Sequence, residues 1–103
     1  MELSDIQAIL EHADSQKRLK GIVALKDYDA ETASPLLLSK KDDPEFLVRS
    51  CVSLGLGRIR SDTGFGALLT MIDSDPDANV RAEATNSLAM YGEGAIPYLV
   101  KTF

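Results

Sequence analysis

The sequence predicts an all-α fold, a solenoid in which short helical hairpins stack side by side. Two observations carry this. First, the segment Asp43 to Ile59, DPEFLVRSCVSLGLGRI, returns 32 residues later as Asp75 to Tyr91, DPDANVRAEATNSLAMY. Both copies open on Asp-Pro, carry Val-Arg four and five residues after the proline (Val48-Arg49, Val80-Arg81), and place a leucine seven residues after the arginine (Leu56, Leu88). A worn third copy lies upstream in Lys17-Arg18, Ala24-Leu25 and Tyr28, so the three arginines stand 31 and 32 residues apart. A repeat of this length marks stacked supersecondary units, each burying its apolar face against its neighbours. Second, apolar residues recur within each copy at helical spacing, and no useful stretch alternates as a strand would.

The elements follow in order. Ser4 and Gln7 form a capping-box pattern that opens a first helix over about 4–13, with Ile6, Ile9 and Leu10 on one face. Asp14 or Ser15 can cap a second helix over about 15–28, whose stripe is Ile22, Leu25 and Tyr28 with Ala24 beside it. Three columns then repeat at intervals of 31: Thr32, Thr63 and Gly94; Pro35, Gly66 and Pro97; Leu37, Leu68 and Leu99. Thr or Gly suits an N-cap, and a proline in the first turn removes an N–H that has no intrahelical partner. Helices three, five and seven are therefore expected to start near 33, 64 and 95, the fifth weakened by Gly64 and Gly66. Asp43 and Asp75 read as N-caps of helices four and six, with Pro44 and Pro76 at the first helical position. Val48, Val52, Leu56 and Ile59 make one face of helix four; Gly55 shares it and lets a neighbouring helix come close. The result is seven helices paired 1–2, 3–4 and 5–6, in repeats of about 1–29, 30–60, 61–92 and a partial 93–103.

Composition narrows the function. A chain of 103 residues with 45% hydrophobic content is one globular domain. Its net charge of −5 disfavours nucleic acid, which needs basic stripes against its phosphates. One cysteine gives no intrachain disulfide, and a reducing, cytoplasmic setting is the simpler expectation. The start, MELSDIQAIL, lacks the basic region and apolar run of a secretory signal, and no window reaches the roughly 18 apolar residues of a membrane span.

The order Asp-Pro, Val-Arg, small residues with Ala-Leu or Leu-Gly, then a short Pro-Leu-Leu helix, resembles HEAT repeats and more narrowly the phycobilisome-lyase HEAT-like repeat. The likeness is clear over Asp43–Ile72 and Asp75–Phe103. It departs where Lys17 replaces the valine, Gly66 a proline, and Arg60 a glycine that Gly92 keeps. The resemblance implies a right-handed α-helical superhelix of about seven helices. It also implies a role among bilin lyase subunits, phycobilisome assembly or degradation factors, and plain protein-binding scaffolds.

Candidate chemistry is sparse. Arg18, Arg49 and Arg81, repeated near Asp43 and Asp75, read as a structural ladder, because a guanidinium forks onto a carboxylate in fixed geometry. A single histidine, His12, cannot build a metal cluster, lies far in sequence from Cys51, and is the one histidine a Ser-His-Asp set could use; read as a surface residue at a helix end, it leaves no catalytic and no metal-ligating residues expected. The HEAT-like iron hydroxylases need several His-Glu pairs, and the HEAT-like DNA glycosylases a basic groove. The most informative signal is a difference between repeats. About 100° from the packed stripe, helix two carries Gln16, Lys20, Val23 and Asp27, and helix six Asn79, Glu83, Asn86 and Met90. Helix four carries Leu47, Cys51, Leu54 and Arg58 there. Burial of a central helix on two sides would explain this; so would an apolar patch with a polar rim, the anatomy of a protein-binding site. The leading expectation is a non-enzymatic scaffold that binds another protein on its concave face. It would do so through Leu47, Cys51, Leu54, Phe46 and Arg58, with Glu83, Asn86 and Met90 beside them. No cofactor is expected on this reading. The alternatives are a bilin lyase-type subunit or phycobilisome-associated factor, which would handle bilin, and a structural fragment or designed repeat module. The last helix, carrying Tyr98, Val100 and Phe103, reads as the first of a fourth repeat, so the expectation is either a piece of a longer solenoid or pairing of copies through that end.

Overall fold

The computed structural model describes residues 1–97, the Glu93 side chain excepted, and within them finds six α-helices, two 3-10 turns and no strand. The helices are α1 (Leu3–Leu10), α2 (Ser15–Ala24), α3 (Ala30–Leu38), α4 (Phe46–Arg58), α5 (Asp62–Ser74) and α6 (Ala78–Ala89). The turns are Leu25–Asp27 after α2 and Gly92–Ala95 after α6. Helices α1 and α2, α3 and α4, and α5 and α6 pack as pairs, while α2, α4 and α6 lie side by side with α4 in the middle. Extents of 39 × 27 × 14 Å fit such a stack, because packed helices lie about 8–10 Å apart and two layers fill the short dimension. Residues 98–103 of the expected seventh helix, with Tyr98, Leu99, Val100 and Phe103, lie outside the described residues.

The apolar stripes find one another. Ile6 and Leu10, Ile22, Leu37, Val48 and Val52, Leu68 and Met71, and Val80 and Ala84 are buried in one continuous core. Leu25, Leu56 and Leu88, the leucine of each repeat, are fully buried. Two glycines set how closely α4 approaches its neighbours. A Cβ on Gly55 would stand 2.9 Å from Leu37 of α3, and one on Gly57 would stand 2.9 Å from the Ser87 Cα of α6. The second contact is with backbone, so even an alanine at Gly57 would push α6 away.

Several helix starts differ from expectation. Ser4 lies inside α1, whose N-cap is Glu2 without a side-chain bond, so the Ser4–Gln7 box does not form. Asp14, not Ser15, caps α2 by accepting the Gln16 N–H. Thr32 and Thr63 give way to Asp29, which accepts the Thr32 N–H at 2.9 Å, and to Ser61, which accepts the Gly64 N–H at 3.0 Å. The earlier start of α3 adds residues 30–32, none of them buried, and leaves Pro35 at the sixth helical residue. There the ring lies on the exposed side, where solvent can serve the carbonyl that loses its N–H partner. Gly64 and Gly66 do not shorten α5, and Gly94 falls within the 3-10 turn instead of capping a helix. Helix α4 ends at Arg58, so Ile59 caps it half-buried instead of extending its face.

Asp43 and Asp75 do not cap α4 and α6 either. Those helices begin two residues later than expected, behind Glu45 and Asp77, and Asp77 is the cap that accepts the Asn79 and Val80 N–H groups. Each of Asp43 and Asp75 instead accepts the N–H two residues ahead, from Glu45 at 3.0 Å and Asp77 at 2.9 Å. The rest of the carboxylate is committed to an arginine of the preceding unit.

Candidate functional site

That commitment builds a ladder along one edge of the stack. Arg18 directs Nε to Asp43 at 2.9 Å and Nη2 at 3.1 Å, and Arg49 does the same to Asp75 at 2.9 and 3.3 Å. The Nη1 of each arginine points back to the loop before its own helix, Arg18 to the His12 carbonyl, Arg49 to that of Asp43, and Arg81 to that of Asp75. Each rung therefore ties a loop, its own helix and the next loop together. Burial by itself would raise the Asp43 carboxyl, but the Arg18 fork, the Glu45 amide and the charges of Arg18 and Lys40 outweigh it and hold it below its usual range. The same fork raises Arg18 against the opposing effect of burial. With donors and acceptors facing each other in this way, the two complete rungs of the ladder are structural in chemistry.

A second tie closes the α4–α5 corner. The Tyr91 hydroxyl donates to the Leu56 carbonyl at 2.8 Å, one of the carbonyls that a helix end leaves without an internal partner, and accepts the Ser61 N–H at 3.2 Å. Its ring stacks obliquely on Phe65 with centroids 5.2 Å apart.

The concave feature of the α2–α4 surface is a groove of about 250 Å³. Ile22, Val23 and Lys26 form one wall from α2 and the turn after it; Cys51, Leu54 and Arg58 of α4 and its cap Ile59 form the other, with Leu37 and Gly55 completing the lining. Three of the residues expected from the sequence, Cys51, Leu54 and Arg58, thus come together. Leu47 lies one turn earlier on α4, 49% exposed, and Phe46 beside it is exposed; neither lines the groove. Asn86 on α6 and Met90 at its C-terminal cap are exposed and also lie outside the lining, while Glu83 is close enough to Cys51 to act on its thiol. The opposite wall was not anticipated. Val23 stood in the mostly polar stripe of the second helix, and Lys26, three residues on, is its neighbour by helical spacing. Val23 is 52% exposed and leads from this groove to a shallower hollow lined by Met1, Gln16, Leu19 and Lys20.

Burial pushes the Cys51 thiol up from its usual range, and the Glu83 carboxylate adds to it. Since the thiolate is the reacting form, maleimide should label Cys51 more slowly than glutathione at pH 7.5. The rate should still be climbing with pH where that of glutathione has levelled off, and Glu83→Gln should speed it. Labelling as fast as glutathione would place the thiol outside the groove wall. Among the described residues no group of three or more His, Cys, Asp or Glu is arranged to hold a metal ion, and no helix is long and apolar enough to cross a membrane.

A family model for HEAT repeats matches residues 4–89. No curated protein and no solved structure matches the chain.

Proposed function

The chain belongs to the HEAT-repeat family, and on that premise we propose that it is a protein-binding scaffold without catalytic chemistry. It would seat an apolar segment of another protein in the groove between α2 and α4. HEAT repeats generally serve as protein-interaction scaffolds. The observation that carries the reading is the groove's composition. Val23, Leu37, Cys51 and Leu54 offer an apolar centre, and the two charged residues of the lining, Lys26 and Arg58, are both cationic although the chain as a whole carries −5. A partner segment that places an acidic residue beside one or two apolar side chains complements this arrangement. The volume favours side chains over an enclosed small molecule, whose pockets run to about 300–1,000 Å³.

The test is capture from a native lysate, with Cys51 labelled before and after. Leu54→Glu and Arg58→Glu should each lose the retained protein and its protection of Cys51 while the helical spectrum is unchanged. Met90→Glu, at the end of the neighbouring helix α6, should keep both. The reverse pattern would move the site to α6 and remove this reading.

The second reading, a bilin lyase subunit or phycobilisome-associated factor, rests on the narrower resemblance and on a thiol in the groove wall. The raised Cys51 thiol weighs against nucleophilic attachment there. Free bilin separates the two readings: a tetrapyrrole handler shifts its visible absorbance on binding, and a scaffold leaves it unchanged.

A further inference from the structure

The groove between α2 and α4 has a direction. Ile22, Val23 and Lys26 belong to the end of α2 and the turn after it, and Cys51, Leu54 and Arg58 to the later part of α4. The two helices therefore run parallel along the groove. Both walls finish on a cation: Lys26 stands three residues after Val23, and Arg58 four after Leu54. Either spacing is one helical turn, so on each wall the charge lies one turn beyond the apolar residue. Among the described residues no acid lines the groove. Asp27, next to Lys26, is exposed and stays outside the lining. The Glu83 carboxylate acts at the other end, on Cys51, which precedes Arg58 by two turns or about 10 Å.

Both walls are helices, and this fixes the backbone of what can lie between them. In mid-helix their N–H and C=O groups are bonded internally, so an extended segment would press its own amides against walls that offer no partner. A helix satisfies its own backbone and presents only side chains. We propose that the groove receives an amphipathic helix of another protein, lying antiparallel to α2 and α4, with its acidic first turn over Lys26 and Arg58. Its apolar residues one and two turns on meet Val23 and Leu54, then Cys51. The proposal rests on the groove being the binding site and adds the form and direction of the occupant.

The direction follows from charge. Acidic side chains stabilise the first turn of a helix and basic ones its last, through the helix dipole. A helix that starts over the two cations brings its acids to them and its basic last turn toward Glu83. Its dipole then opposes those of its two neighbours. The reverse direction sets an acidic first turn beside Glu83 and leaves Lys26 and Arg58 facing a basic last turn.

The experiment uses the full chain and, as probe, a fluorescein-labelled, alanine-based helical peptide. It carries glutamates in its first turn, leucines one and two turns on, and lysines in its last turn. Anisotropy titration should show binding that weakens at least about fivefold when the glutamates become glutamines, and that falls as salt screens the charges. Arg58→Glu should lose this peptide and accept one with lysines in the first turn. A nitroxide on the first turn of the peptide should broaden the Ile59 amide resonance and spare that of Ser50. Equal binding of the glutamate and glutamine peptides, or broadening at Ser50 instead of Ile59, would overturn the proposal. So would binding that survives a proline in the middle of the peptide. If the peptide fails to bind while Leu54→Glu still abolishes capture from the lysate, the proposal falls and the groove reading stands. If capture survives Leu54→Glu, both fall. Tighter binding to vesicles of anionic phospholipid, or a dimer in sedimentation that Arg58→Glu dissolves, would also overturn it, since the occupant would then be a membrane or a second copy.

Discussion

Leu56→Ala is expected to lower the unfolding free energy by about 2–5 kcal/mol, the range for truncating a buried leucine. Leu56 is fully buried on α4, the helix flanked by α2 on one side and α6 on the other. A site held from both sides cannot collapse to fill the space, so the cost should sit in the upper part of the range. A domain of this size holds about 5–15 kcal/mol in total, and each kcal/mol moves its melting point by about 4–8 °C. Thermal unfolding followed by circular dichroism should therefore show a fall of roughly 10 °C or more. A melting point within about 2 °C of the unmodified chain would mean that the repeat register placing Leu25, Leu56 and Leu88 in one row is wrong.

That register was legible because it is written three times. The period of 31 and 32 residues and the helical spacing of the apolar stripes gave the hairpins, their pairing and their core leucines. The helix starts were less legible, and the reason is physical. Asp-Pro is a common N-cap and first-turn pair, and local rules assign Asp43 and Asp75 to it. The stronger claim on each carboxylate comes from an arginine 25 or 26 residues upstream, which no local window contains. Once the carboxylate is shared between that arginine and the i+2 amide, the helix must begin further on. Thr32 and Thr63 lost their capping role to Asp29 and Ser61, whose side-chain oxygens take the Thr32 and Gly64 N–H groups and so start each helix earlier.

The groove was half legible for a related reason. One wall, Cys51, Leu54 and Arg58, lies on a single helix and shows up as a stripe. The other wall and the floor come from α2, the turn after it and α3, and a hollow between three elements has no periodic signature. Gly57 carried a readable hint, since a small residue in mid-helix often marks a close approach, but its contact with Ser87 depends on how α6 stacks.

Asp75→Ala is the substitution expected to cost most outside the core, about 2–4 kcal/mol. Removing one partner of a buried pair strands the other charge, at about 3–5 kcal/mol when burial is complete. The Arg49 side chain keeps 11% of its exposure and the Asp75 side chain 5%, so a little solvation remains. Arg49 would still reach the Asp43 carbonyl through Nη1, but Nε and Nη2 would lose their acceptors and the Asp77 N–H its partner. The loss lies in the stranded charge more than in the attraction of the pair. Arg49→Met introduced beside Asp75→Ala should therefore recover a good part of it. An internal control separates burial from distance. Lys41 and Asp42 also meet at 2.9 Å, with side chains 37% and 86% exposed, and Asp42→Ala should change stability by no more than about 0.5 kcal/mol. Denaturant titrations of the four chains decide the matter. If Asp75→Ala proves as mild as Asp42→Ala, or if adding Arg49→Met makes it worse, the ladder is not what locks one repeat to the next.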